Sequence, residues 1–305
     1  RYNPVTGDLE KLITRNTTDA YANPGQPVTV PNKYDRNVLL TIDNGNKIIF
    51  NNVTGSSPKG DLPFLMSYDI HKKKADTIWR CMDGVYEYAV KLLDADKLSF
   101  ISRKETEKDM PNYWLKNLKL RIADRQLTAF KNPYPQMEGV TKEKIKYKRA
   151  DGVDLTGDLY LPKGYNKERD GKLPVLIWAY PAEYNSAADA AQVRGSEHRF
   201  TLIGGGSPVV YVTQGYAILN NAEMPIVATG KDKKPNDNFI EQLVMNAEAA
   251  VKVLDSMGVG DKNRMAVAGH SYGAFMTANL LAHTKLFKAG IARSGAYNRT
   301  LTPFG

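Results

Sequence analysis

The chain has 305 residues, 42% hydrophobic and 25% charged, the composition of a globular protein long enough for two domains. No run of about 18 apolar residues occurs, so no membrane-spanning helix is expected. The net charge of +9 is spread over short runs (Lys72–Lys74, Lys142–Arg149, Lys231–Lys234) broken by acids or turns, which reads as a solvated lysine-rich surface, not a nucleic-acid footprint.

Residues 1–137 have β character: turn signals such as Thr6-Gly7-Asp8 and Asn44-Gly45 separate short apolar runs. A repeat runs through them at an offset of 50. Lys47-Ile48-Ile49-Phe50 matches Lys97-Leu98-Ser99-Phe100, Phe64-Leu65 matches Trp114-Leu115, and Tyr68 and Ile70 match Leu118 and Leu120. That period suggests blades of a β-propeller. About two and a half blades fit, fewer than the four a closed propeller needs, so the remainder is expected upstream of Arg1.

Asn132-Pro133-Tyr134-Pro135 reads as a linker, and from residue 138 the texture changes to α/β. A hairpin is predicted over 143–161, turning at Ala150-Asp151-Gly152. The continuous apolar run Val175-Leu176-Ile177-Trp178 reads as a strand buried on both faces, within 173–180. A second strand is predicted over 216–220. A helix is predicted over 236–257, capped by Asn238 with Glu241, ended by Gly258, and striped by Phe239, Ile240, Leu243, Val244, Ala247, Ala250, Val251 and Leu254. A strand at 264–268, a helix at 274–282 and a strand near 288–292 follow. Strand-helix-strand order implies parallel pairing. The predicted fold is therefore α/β, a doubly wound and mostly parallel sheet cut short at its C-terminal end, over 138–305, preceded by a partial propeller over 1–137.

Between the strand at 264–268 and the helix after it lies Gly269-His270-Ser271-Tyr272-Gly273, a G-x-S-x-G turn. A serine on such a turn is pushed out of the top of the sheet, at the carboxyl end of a central strand where open α/β sheets place their sites. Its hydroxyl needs a base, an acid to orient that base, and donors for the oxyanion. The Tyr272 backbone N–H supplies one donor. The second normally comes from the loop after the third strand, here Tyr180-Pro181-Ala182-Glu183. Pro181 has no N–H, so the Tyr180 hydroxyl is the candidate.

The base has no candidate. His283 follows Ser271 by twelve residues on one helix, about 18 Å along its axis. His270 points away, and His198 and His71 precede the serine. The four histidines show no metal-ligand spacing and Cys81 is the only cysteine, so no metal, cofactor or disulfide is expected. The acid and histidine are expected beyond Gly305, which makes this chain a middle piece of a longer protein, inactive alone. Asn16-Thr17-Thr18, Asn52-Val53-Thr54 and Asn298-Arg299-Thr300 match the glycosylation pattern. Compartment is not legible in the residues.

The run from Gly269 to Met276, followed by Thr277 to His283, resembles the prolyl oligopeptidase family of serine peptidases. Gly290 to Gly305 and Pro235 to Leu243 look more specifically like its glutamyl endopeptidase branch. The close resemblance covers about residues 140–305; the β region resembles the family's propeller in character alone. It implies a propeller capping an α/β-hydrolase domain, a peptide substrate, and a periplasmic, secreted or organellar location. Ser271 matches the nucleophile and Tyr180 the oxyanion tyrosine; the acid and histidine have no counterpart here. Family members that prefer proline line the primary pocket with aromatic rings near 296–302, where this chain has Arg299. An arginine pairs a glutamate bidentately. Arg299, with Arg293 second, is the candidate for a glutamate preference before the cut bond. A carboxylesterase or other acyl hydrolase on the same fold, and a non-catalytic binding protein, remain open.

Overall fold

Alternating runs in the first 130 residues fold as antiparallel hairpins. The structure, a computed structural model, describes residues 1–120, 122–230 and 232–297. They fall into two compact units, Arg1–Asn132 with Gln192–Thr201, and Pro133–Ala191 with Leu202 onward. The division lies within the predicted linker, five residues before the boundary placed at 137. The excursion of 192–201 into the first unit has no signal in the sequence.

In the first unit β1 (Gln26–Pro27), β2 (Lys47–Asn52), β3 (Phe64–Asp69) and β4 (Lys74–Arg80) form one antiparallel sheet in that order, and β5 (Tyr86–Asp94), β6 (Ser99–Glu105), β7 (Asn112–Asn117) and β8 (Arg125–Gln126) form another. The offset of 50 survives as register. Phe50 faces Met66 and Asn51 faces Leu65; Phe100 faces Lys116 and Ile101 faces Leu115. The matched strands hold second and third place in each sheet, with Ile49, Leu65 and Phe100 fully buried. The repeat fades at its end: β7 stops at Asn117, and Leu120, matched to Ile70, is exposed. The glycosylation pattern at Asn52 is also overruled by packing. Asn52 is buried and its Nδ2 donates to the Asn23 carbonyl.

In the second unit β9 (Thr141–Lys148) and β10 (Asp154–Leu161) form the predicted hairpin. β11 (Leu173–Tyr184), β12 (Ala217–Val227), β13 (Gly260–His270) and β14 (Ala289–Arg293) complete a six-stranded sheet in the order β9–β10–β12–β11–β13–β14. β10 joins β12 antiparallel; β12, β11, β13 and β14 run parallel. Side chains alternate between the two faces. Val175, Ile177, Leu219, Met265 and Val267 meet α1 (Phe239–Ser256) and α2 (Tyr272–His283), whereas Leu176, Ile218 and Ala268 meet Val209 and Val212. Both long helices among the described residues thus lie on one face, where a doubly wound sheet would have helices on both. The other face is covered by a 3-10 segment, Pro208–Gln214, entered through Gly204-Gly205-Gly206, a run too costly to hold as helix.

Two details of α1 differ from expectation. Asn238 holds the N-cap position, but its side chain bonds no backbone N–H of the first turn: a 3-10 turn over Pro235–Asn238 precedes the helix, and the Asn238 side chain accepts from Gln242 instead. Gln242 and Asn246 are buried beside the predicted apolar stripe, because Arg149 reaches them. Gly258 does end the helix, at φ +75°. No described helix is long and apolar enough to cross a membrane.

Candidate active site

Ser271 stands between the last residue of β13 and the first of α2 with φ +55° and ψ −114°. A non-glycine residue there carries about 1–3 kcal/mol of strain, so its surroundings must hold it. The Ser271 N–H donates to the Arg293 carbonyl at 2.9 Å, and its own carbonyl accepts from Ala274 and Phe275 at 3.0 and 3.2 Å. The two glycines of the motif are required by contact. A Cβ on Gly269 would stand 2.5 Å from the Gly273 carbonyl carbon, and one on Gly273 would stand 2.5 Å from the Ala179 oxygen. Bare Cα atoms let the start of α2 rest on β11 at Ala179, and the next residue of β11 is Tyr180.

The structure brings Tyr180, Ser271 and Tyr272 to one cavity of about 310 Å³, lined also by Glu183, Phe275 and Ala296. Tyr180 is 56% exposed, and neither its hydroxyl nor that of Ser271 has a hydrogen-bond partner among the described residues. Tyr272 opens α2, and N–H groups of a first helical turn face charge arriving at the helix end. Its ring packs 5.9 Å from Tyr180 edge-on and stacks at 5.8 Å on Phe239 and 5.9 Å on Phe275. Its hydroxyl donates to Glu183 Oε1 at 2.9 Å.

Of the two arginines, Arg293 ends β14 beside His270. Its guanidinium lies against Gly206, where a Cβ would meet Nη1 at 1.9 Å, and it does not line the cavity. Arg299 lies outside the described residues, although Ala296, which leads to it, lines the cavity. Neither His270 nor His283 lines it. No group of three His, Cys, Asp or Glu suited to a metal occurs among the described residues. Cys81 is buried in the first unit, and desolvation pushes its thiol up to about 11, so it is not a thiolate near neutrality.

Sequence reasoning did not single out Glu183 or the stacking of Phe239 on Tyr272. For Glu183 a signal existed, since it lies three residues after Tyr180 on the same strand end. Phe239 is far from Tyr272 in the chain and was readable only as part of a helix stripe.

The chain matches the model of the "Prolyl oligopeptidase family" over residues 236–303. It is 43% identical to "Probable glutamyl endopeptidase, chloroplastic" of Oryza sativa subsp. japonica, over 96% of this chain and 32% of the relative. It is 42% identical to the protein of the same name from Arabidopsis thaliana, with the same shares covered. The chain thus spans about a third of the length of these relatives. Among solved structures it resembles Pyrococcus horikoshii acylaminoacyl peptidase, with a TM-score of 0.52 and 19% identity over 83% of this chain and 36% of that one. That likeness concerns fold alone. The segment that matches the prolyl oligopeptidase family is thus the one that holds the serine turn.

Proposed function

We propose that the protein is a serine peptidase that cleaves peptide bonds through an acyl-enzyme on Ser271. The observation that carries the reading is the strained serine opening into the same cavity as Tyr180. Ser271 Oγ attacks the scissile carbonyl, and the developing oxyanion is received by the Tyr272 N–H and the Tyr180 hydroxyl. Such donors act only on the transition state, so they raise kcat more than they lower KM. The base and its orienting acid come from the part of the protein that lies outside these residues. The second unit is read as an α/β-hydrolase domain and the first as propeller blades, supported by the sheet order and the repeated register.

The preferred residue before the cut bond is glutamate, paired by Arg299 or, second, by Arg293. The names of the relatives support this, and so does the approach of the segment before Arg299 to the cavity at Ala296. Their names also support an organellar location.

The test uses the protein in its full natural length. Tyr180→Phe is expected to lower kcat for a glutamyl peptide about 100-fold with little change in KM. Arg299→Ala is expected to bring glutamyl and glutaminyl peptides to similar kcat/KM. A Tyr180→Phe effect confined to KM removes the oxyanion assignment, and an unchanged glutamyl preference in both Arg299→Ala and Arg293→Ala removes the arginine one.

A further inference from the structure

Glu183 has no part in the reaction just described, yet it lines the cavity that holds Ser271. It is anchored at one oxygen: Oε1 accepts from the Tyr272 hydroxyl at 2.9 Å and from Asn236 Nδ2 at 3.1 Å. Both donors are neutral. Among the described residues Oε2 accepts no hydrogen bond and Glu183 has no cationic partner. The rest of the lining, Tyr180, Ser271, Tyr272, Phe275 and Ala296, carries no charge and offers three aromatic rings. The chain as a whole carries +9, so an anion with no cationic partner among the described residues runs against the general field.

A fixed carboxylate with one open oxygen, beside aromatic rings, is the chemistry that receives an ammonium or guanidinium group. The carboxylate takes a charge-assisted hydrogen bond and the ring faces attract the cation. An anionic group placed at Oε2 would be repelled, so the glutamate proposed before the cut bond would sit away from this oxygen, and a neutral apolar group would leave Oε2 without use. We infer that Glu183 makes this cavity a subsite for a cationic group of the peptide substrate, within one or two residues of the bond that Ser271 cuts. The reach follows from size: an extended residue spans about 3.5 Å, and a cavity of about 310 Å³ holds both the serine and the carboxylate. The cation is either the substrate's α-ammonium or a lysine or arginine side chain. The inference rests on the peptidase reading of Ser271.

Glu183→Gln isolates the charge, because the amide oxygen can still accept from Tyr272 and Asn236. The protein of full natural length is given three peptides of one sequence: with a free amino terminus, acetylated, and acetylated with lysine in place of norleucine beside the cut bond. The readout is the ratio of kcat/KM for each cationic peptide to that for the neutral one. Wild type is expected to favour at least one cationic peptide about two- to fivefold, the range of an exposed charge pair, and Glu183→Gln to bring that ratio near one. A response with the free amino terminus alone assigns the α-ammonium, and one with lysine alone assigns the side chain; either supports the subsite. Ratios that are equal in wild type and variant overturn it, including a uniform loss on all three peptides, which would mark Glu183 as structural. Should wild type cleave none of them, the peptidase reading falls separately. Calorimetric titration with phenethylamine then decides the cation site. Binding by wild type that Glu183→Gln lacks supports it, and equal or absent binding overturns it.

Discussion

The position of the nucleophile is set by two side chains that are not there. Gly273 has the Ala179 carbonyl where its Cβ would be, at 2.5 Å, and neither backbone can yield without moving a helix or a central strand. Gly273→Ala is therefore expected to cost about 1–3 kcal/mol by overpacking and to lift the start of α2 away from Tyr180. A melting temperature several degrees lower and slower serine-probe labelling in the full-length protein are the measurements. Gly205→Ala serves as the comparison, since open space surrounds Gly205, and it should stay within about 0.5 kcal/mol. Equal stability of the two variants would count against the contact argument. At this scale much was legible. The pentapeptide names Ser271 because a turn this tight admits few residue types, and a local steric need leaves a local signature. Glu183 left only its place three residues after Tyr180, because what gives it a role is the Tyr272 hydroxyl 89 residues away.

Among the elements, the hairpin β9–β10, the parallel strands and the helix α1 were readable from periodicity, while the polar side of α1 was not. Arg149, buried at the end of the hairpin's first strand, uses all five of its donors. They go to both oxygens of Asp151, to the Pro225 carbonyl, and to Gln242 and Asn246 on α1. Gln242 and Asn246 are 93 and 97 residues from Arg149. No sequence period spans that distance, so nothing in the apolar stripe marks the two amides as buried. Arg149→Met would leave the buried Asn246 Oδ1 without a donor, while Gln242 Oε1 and the Pro225 carbonyl keep those from the Val227 N–H and Asn246 Nδ2, and is expected to cost about 1–3 kcal/mol in urea melts at pH 7. Arg149→Lys should recover little, with three donors in place of a planar five. The pH dependence has a defined sign. The hydrogen bond from Arg149 is the main cause holding the Asp151 carboxyl below its ordinary 3.8. Stability from this pair is then fully present above about pH 4 and is lost as pH falls through the lowered value. Melts at pH 5 and pH 3 should show a smaller acid loss for Arg149→Met than for wild type. A parallel loss in both would remove Asp151 from the account.

For the molecule as a whole, sequence and structure divide the work unevenly. The offset of 50 was visible because two sheets share one register. The excursion of 192–201 was not, because a loop joined to the first unit by scattered bonds has no period. Gln192 donates to Asp19, Asp61 to the Gly195 carbonyl, and Phe200 to Glu105. Reactivity is also a property of the whole. Ser271 has its strained turn and its candidate oxyanion donors within these residues, but a serine hydroxyl near neutral pH needs a base to become a nucleophile. No described group accepts a hydrogen bond from it, and neither histidine of the second unit before or after it on β13 and α2 reaches the cavity. Loss of the histidine from a complete triad costs about a millionfold in kcat. Residues 1–305 expressed alone are therefore expected to react with a fluorophosphonate probe at least about 1000-fold more slowly than the protein in its full natural length. Far-UV circular dichroism shows whether the shorter chain is folded. Peptide mapping should place the label of the longer protein on Ser271. A folded 305-residue chain that labels at Ser271 as fast as the longer protein would mean that the base lies within these residues, and His270 and His283 would be the first to substitute.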